Sequence, residues 1–136
     1  MSPTRALPDR LVSTLGRANP AVMSTLRQDG APVSVATWYL WEEGRVLVNL
    51  DAGRRRLAHL RADPRVSLTV LDADSWYRHI SLQGRVVTLE DDEGLRDIDR
   101  IARHYIGERY PDRERPRVSA WIEIGTWHAW GMDDTP

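Results

Sequence analysis

Three consecutive arginines, Arg54-Arg55-Arg56, follow Asp51-Ala52-Gly53 and open a segment with helical spacing. The first turn of a helix leaves backbone N–H groups without intrahelical acceptors, and the helix dipole is positive there. Guanidinium forks at that place would join the amides in holding an anionic group such as a phosphate. Neighbouring helical residues diverge by about 100°, so Arg54 and Arg56 are expected on the anion and Arg55 turned away from it. Read without a ligand, the same run is a solvated basic face whose charges contribute little.

Other chemistries find less support. The 19 basic side chains are all arginine, so a phosphate-binding loop ending in Gly-Lys-Ser/Thr is excluded, as is a lysine Schiff base. There is no cysteine, which removes disulfides, thiolate catalysis and cysteine-ligated metals. His59, His79, His104 and His128 occur singly without metal-ligand spacing, and read as ordinary surface or half-buried side chains. No Gly-x-Ser-x-Gly elbow anchors a hydrolase. Of the six tryptophans, Trp38, Trp41, Trp121 and Trp127 suit core or interface. Trp76 stands apart, because it follows the polar turn Asp72-Ala73-Asp74-Ser75 at a strand start, where an indole can wall a planar ring.

A net charge of −1 provides no long-range field toward nucleic acid, so none is expected as a partner. The first eight residues lack the apolar stretch of a secretory signal, and the apolar run 33–41 is too short to span a bilayer. The expectation is a cytoplasmic protein with no membrane segment. Its 136 residues suit one domain, 1–136, around one core.

The elements that must position the arginines follow from periodicity. Leu7, Leu11 and Leu15 predict a short helix from Pro8 or Asp9, ended by Gly16. Strands are expected over 22–27, 32–41 and 45–50, joined by turns at Asp29-Gly30 and Glu43-Gly44. Leu57 and Leu60 give the arginine helix its apolar stripe, and Asp63-Pro64 stops it. Val66, Leu68 and Val70 alternate as a strand, and 76–90 is a long strand bent at Gly84. Leu95, Ile98, Ala102 and Tyr105 mark an amphipathic helix from near Asp91-Asp92 to Gly107, before a charged loop and a last strand over 118–124. Short turns and one inserted helix argue for a mostly β, α+β fold: a closed antiparallel sheet with a few covering helices.

The ordered set Asp29-Gly30-x-Pro32, Asn49, Arg54-x-Arg56, Asp63-Pro64-Arg65-Val66, Asp72 to Trp76, Gly84 and the closing Ala129-Trp130-Gly131 resembles the pyridoxamine 5'-phosphate oxidase-like split-barrel flavoproteins. It is similar in particular to their branch of F420-dependent oxidoreductases. The resemblance runs from about Leu11 to Gly131 and implies an FMN-binding-type split barrel of six strands. It implies that Asn49, Arg54, Arg56 and the second-strand backbone at Pro32, Val33, Ser34 and Val35 line the cofactor site. By position, Trp76 and Tyr77 match residues bordering the ring pocket. The family often has lysine where this chain has Arg56, which turns a point donor into a fork. Oxidases of pyridoxamine phosphate carry a basic C-terminal substrate motif; this chain ends in Met132-Asp133-Asp134-Thr135-Pro136, so vitamin B6 oxidation is not expected.

What the resemblance implies is an oxidoreductase in which reduced F420 delivers a hydride to an electron-poor acceptor, such as an α,β-unsaturated carbonyl or a conjugated ring. An FMN enzyme and a non-catalytic F420 or flavin carrier stay open beside it. No residue reads as the catalytic acid; Tyr39, Tyr77 and water are the proton donors to consider. The family pattern and Trp121, Trp127 and Trp130 together imply a homodimer with the cofactor at its seam, where the loop 108–117 is expected to reach the partner's cofactor.

Overall fold

The computed structural model describes residues 5–132; the readings made on residues 1–4 and 133–136 lie outside them. The alternating segments form seven strands, β1 (Ala21–Leu26), β2 (Pro32–Thr37), β3 (Leu40–Glu42), β4 (Arg45–Asp51), β5 (Arg65–Asp72), β6 (Ser75–Asp91) and β7 (Arg117–Trp130). Three helices accompany them: α1 (Asp9–Leu15), α2 (Arg55–Ala62) and α3 (Arg96–Ile106). Every strand pairing is antiparallel, and the order across the sheet is β2-β1-β5-β6-β7-β4-β3. Among the described residues no helix is long and apolar enough to cross a membrane.

The alternation places Met23, Val46, Val48, Val66, Leu68, Val70, Ile80, Leu82, Ile122 and Ile124 in one buried cluster, which Leu11 and Leu15 of α1 join. Removing each such side chain from water is worth about 1.5–3 kcal/mol. Gly84 sits at a register shift of β6 against β7, where a Cβ would overlap the Glu123 carbonyl. The bend expected there exists because two backbones meet at that point.

A closed barrel of six strands is not what forms. Hydrogen-bonded pairing stops at β2 and β3, the two edges of a seven-stranded sheet. The single strand expected over 32–41 divides at Trp38-Tyr39. Tyr39 is fully buried; its hydroxyl donates to the Leu15 carbonyl at 2.8 Å, and its backbone N–H donates to the Tyr105 hydroxyl at 3.3 Å. An amide taken by a side chain is lost to the ladder, so β3 begins a separate pairing, with β4.

Two other boundaries moved. The last strand continues past Ile124 to Trp130 because β6 is long enough to pair with it as far as His79 opposite Trp130. Gly125-Thr126 interrupts the apolar alternation there, which conceals the continuation in the sequence. Helix α3 begins at Arg96 rather than near Asp91-Asp92, after a 3-10 turn over Glu93–Leu95 with left-handed Gly94 and Leu95. Asp92 still caps it: its carboxylate accepts the Asp97 and Ile98 amides at 2.8 and 2.9 Å.

Candidate functional site

Chain leaving β4 is folded back by Asp51, whose side chain accepts the Gly53 amide at 2.9 Å and whose carbonyl accepts the Arg54 amide at 3.0 Å. Arg54 is the extended residue just before α2, with φ −74° and ψ 140°, and no side chain caps the helix. Arginine carries donors only, so it cannot take the capping role that Ser, Thr, Asp or Asn fills. Of the first-turn amides of α2, that of Leu57 donates to the Arg54 carbonyl at 3.1 Å, while those of Arg55 and Arg56 have no side-chain cap and lie beside a cluster of guanidiniums.

A cavity of about 500 Å³ lies against this turn, lined by Arg27, Val33, Val35, Gly53, Arg54, Arg55, Arg56 and His59. Among the described residues no carboxylate lines it. Of the acids nearby in sequence, Asp29 pairs with the cavity's own Arg27 at 3.5 Å, and Asp51 with Arg115, outside the lining, at 3.3 Å. His59 is anchored through Nδ1 to the Thr25 hydroxyl at 3.2 Å. Sheet pairing thus delivers β2 to the arginines, which lie some twenty residues further along the chain.

Arg56 is the member under most stress. It is half-buried, and its Nη1 is buried without a hydrogen-bond partner among the described residues. Burial first, then the charges of Arg54 and Arg117, pull its guanidinium below the ordinary arginine value. A buried donor left unpaired costs about 1–3 kcal/mol, more when charged, so the chain holds a cation here that lacks an acceptor. Arg54 and Arg55 are exposed, and both line the cavity. Arg55 is not turned away as the helical angle suggested, because Arg54 precedes the helix and the 100° step does not relate the two.

Of the second-strand residues, Val33 and Val35 border this cavity while Ser34 faces the other side, its hydroxyl 2.7 Å from that of Ser24. Pro32 is exposed at the strand start. Because β2 pairs with β1 alone, its outer backbone edge keeps N–H and C=O groups available.

Asn49 is placed elsewhere. Its amide donates to Asp92 and Ser119 at 3.1 and 3.2 Å, and its side-chain oxygen accepts from Arg117 Nε at 2.6 Å. It borders a second cavity, of about 540 Å³, between the Thr37 end of β2 and α3, with Trp38, Tyr105 and Tyr110 as aromatic walls. Arg117 links the two cavities, since it bonds Asn49, lies 4.7 Å over the Tyr110 ring and is near enough to depress Arg56. Sequence reasoning singled out none of Trp38, Tyr110 and Arg117 as site residues, although the last two lie in the loop 108–117 that it sent toward a partner's cofactor. An aromatic followed by a basic cluster, Tyr110 to Arg117, was the one signal available.

Trp76 and Tyr77 are 73% and 56% exposed at the start of β6. The register Thr37–Ala21–Val70–Ile80 puts them beyond the Thr37 end of β2, whereas Arg27 follows the Leu26 end of β1. Within one chain they do not meet the arginine cavity. Gly131, at φ +66°, packs on Tyr77, and a Cβ there would lie 2.9 Å from its ring. Tyr39 is no proton donor to a ligand: its hydroxyl is spent inside the core, and burial pushes its pKa up to about 12.

Comparison with solved structures finds the same fold in a protein described as an F420 reductase, with a TM-score of 0.77, 24% identity, and 85% of this chain and 94% of that chain covered. A conserved hypothetical protein from Mycobacterium tuberculosis matches with a TM-score of 0.71 and 20% identity over 97% of this chain and 90% of that one. An FAD-binding protein from Mesorhizobium loti matches with 0.64 and 18% over 90% and 92%. No curated protein matches by sequence. The pyridoxamine 5'-phosphate oxidase family model matches residues 7–131. With a mostly β, seven-stranded α+β fold and that match over nearly its whole length, the chain belongs to the pyridoxamine 5'-phosphate oxidase-like family of oxidoreductases.

Proposed function

We propose that this protein is a cytoplasmic, single-domain F420H2-dependent reductase that takes an electron-poor acceptor such as an α,β-unsaturated carbonyl or a conjugated ring. The observation that carries this reading is the orphaned Nη1 of Arg56 in an arginine cavity without carboxylates, beside the open edge of β2. A phosphate there meets what Arg56 lacks. Support for F420 over FMN comes from the fold shared with the F420 reductase; the FAD-binding neighbour keeps a flavin as the second candidate.

When bound, the coenzyme supplies the hydride. Arg54 and Arg56 hold its phosphate as fixed forks, and the uncapped amides of α2 add their donors. The β2 edge at Pro32, Val33, Ser34 and Val35 orients the ring system through backbone hydrogen bonds, while Val33 and Val35 keep water from its flank. The exposed Trp76 and Tyr77, which the fold of one chain keeps from the arginines, complete the site across the seam of a homodimer.

Titration of purified protein with F420 and with FMN, followed by absorbance and fluorescence, tests the reading. Micromolar or tighter F420 binding with faster oxidation of F420H2 by enones or quinones is the expected result. Tight binding of FMN alone would move the assignment to a flavin enzyme, and F420 binding without turnover of any acceptor would make the protein a carrier.

A further inference from the structure

The cavity between the Thr37 end of β2 and α3 differs in chemistry from the arginine cavity. Small side chains, Ala18, Ala21 and Ala36, leave its space of about 540 Å³ open, and Ile98 and Ile101 floor it. Trp38 lies parallel to Tyr105, with centroids 5.2 Å apart and planes 15° apart, and meets the edge of Tyr110 at 6.3 Å and 87°. Among the described residues no charged side chain lines it. Flat apolar walls favour a flat apolar occupant, and the volume falls in the range of small-molecule sites.

The polar groups narrow the class further. The Tyr105 hydroxyl donates to the Asn19 carbonyl at 2.6 Å and accepts from the Tyr39 amide; the Thr37 hydroxyl donates to the Trp38 carbonyl at 2.9 Å. Asn49 is engaged on both sides of its amide. Of the lining side-chain donors, that leaves the Trp38 indole N–H and the Tyr110 hydroxyl, neither hydrogen-bonded to a described residue. Trp38 is committed to its stack on Tyr105, so the Tyr110 hydroxyl is the donor left for a ligand. Its position is nonetheless held. The Tyr110 amide donates to Asp99 at 3.0 Å, Arg113 donates to its carbonyl at 3.0 Å, and Arg113 clamps Asp99 through two bonds of 2.6 and 3.0 Å. Arg117 covers the ring face.

We infer that this cavity is the acceptor site, that it takes a flat, uncharged, conjugated carbonyl compound, and that the Tyr110 hydroxyl is the donor that positions the carbonyl oxygen. The inference rests on the arginine cavity being the coenzyme's anion site, to which Arg117 joins it. An anionic acceptor would be left unpaired among these walls, and a hydrocarbon without oxygen would leave the fixed hydroxyl unused.

The test is fluorescence quenching of the full-length protein by 2-methyl-1,4-naphthoquinone and by its oxygen-free counterpart 2-methylnaphthalene, without coenzyme and again with saturating F420. The quinone is expected to bind about 5- to 10-fold more tightly than the hydrocarbon, the worth of one hydrogen bond. Tyr110→Phe should erase that preference while leaving hydrocarbon binding intact. Ala36→Phe, at an exposed strand position, should block both probes and spare F420 binding. A preference that survives Tyr110→Phe, probe binding that ignores Ala36→Phe, or displacement of the probe by F420 would each overturn the inference. Failure of F420 to bind at all, with both probes behaving as expected, would instead remove the coenzyme reading and leave the cavity's ligand class standing.

Discussion

Arg117 donates from Nε to the side-chain oxygen of Asn49 at 2.6 Å, and the Asn49 amide nitrogen donates in turn to Asp92 and Ser119. The chain goes on from Ser119 to Asp97 at 2.7 Å, so the network ties β4, β7 and the start of α3 together. Asn49→Ala should cost about 1–3 kcal/mol of stability, because Arg117 and Asp92 lose a buried partner, and should change F420 affinity less than threefold. Urea unfolding and coenzyme titration of the same variant check this; a normally stable variant that no longer binds F420 would assign the amide to the ligand instead.

At the arginine turn Arg56 is half-buried and Arg54 and Arg55 are exposed, and Arg54 and Arg56 are the two proposed to hold the phosphate. Loss of a charge-assisted bond to a bound anion costs about 1.5–3 kcal/mol, so Arg56→Ala and Arg54→Ala should weaken F420 binding roughly 10- to 100-fold. Arg55, exposed at the cavity, should matter less and its effect should fade with salt. Arg56→Met should also leave the ligand-free protein at least as stable as wild type, since it removes an unpaired half-buried cation. Thermal melts with and without F420 separate the two effects, and equal, salt-screened losses at all three positions would reduce the run to a solvated basic face.

Tyr39 gives a pH signature. Burial raises its folded pKa from 10.0 to about 12, so the folded state favours the protonated phenol. The stability from this burial is complete below pH 10 and is lost as pH rises from there toward about 12. Burial raises the Tyr105 hydroxyl as well, so it adds in the same direction. Alkaline unfolding followed by circular dichroism should therefore begin above pH 10, and Tyr39→Phe should lessen the steepness while leaving hydride transfer at neutral pH unchanged.

Gly84→Ala probes the bend of β6. A methyl group there overlaps the Glu123 carbonyl of β7, and backbone atoms cannot swing aside as a flexible side chain can. The variant should lose about 3 kcal/mol, whereas Gly30→Ala, at φ +86° with open space around it, should lose about 1 kcal/mol from backbone strain. Equal losses in chemical denaturation would mean that the sheet opens at the bulge to admit the methyl.

By itself the sequence determined what is local. Alternation of Val66, Leu68 and Val70, the glycine in a long strand and the arginines after Gly53 specify strands, bend and turn because backbone sterics and side-chain period act over a few residues. The ordered motifs also indicated the family. Tertiary structure decided what depends on partners distant in the chain. Only the pairing of β2 with β1 brings Val33 and Val35 to Arg54 and Arg56. Only the pairing of β7 with β4 and β6 draws Asn49, Ser119 and Asp92 into one network, and only the packing of α3 gives Tyr105 to the Tyr39 amide that ends β2. Trp76 and Asn49 matched family positions by order alone, and order along a chain carries no information about which end of a sheet a side chain occupies. That is settled by strand register, a choice made by burial of the whole apolar face at once.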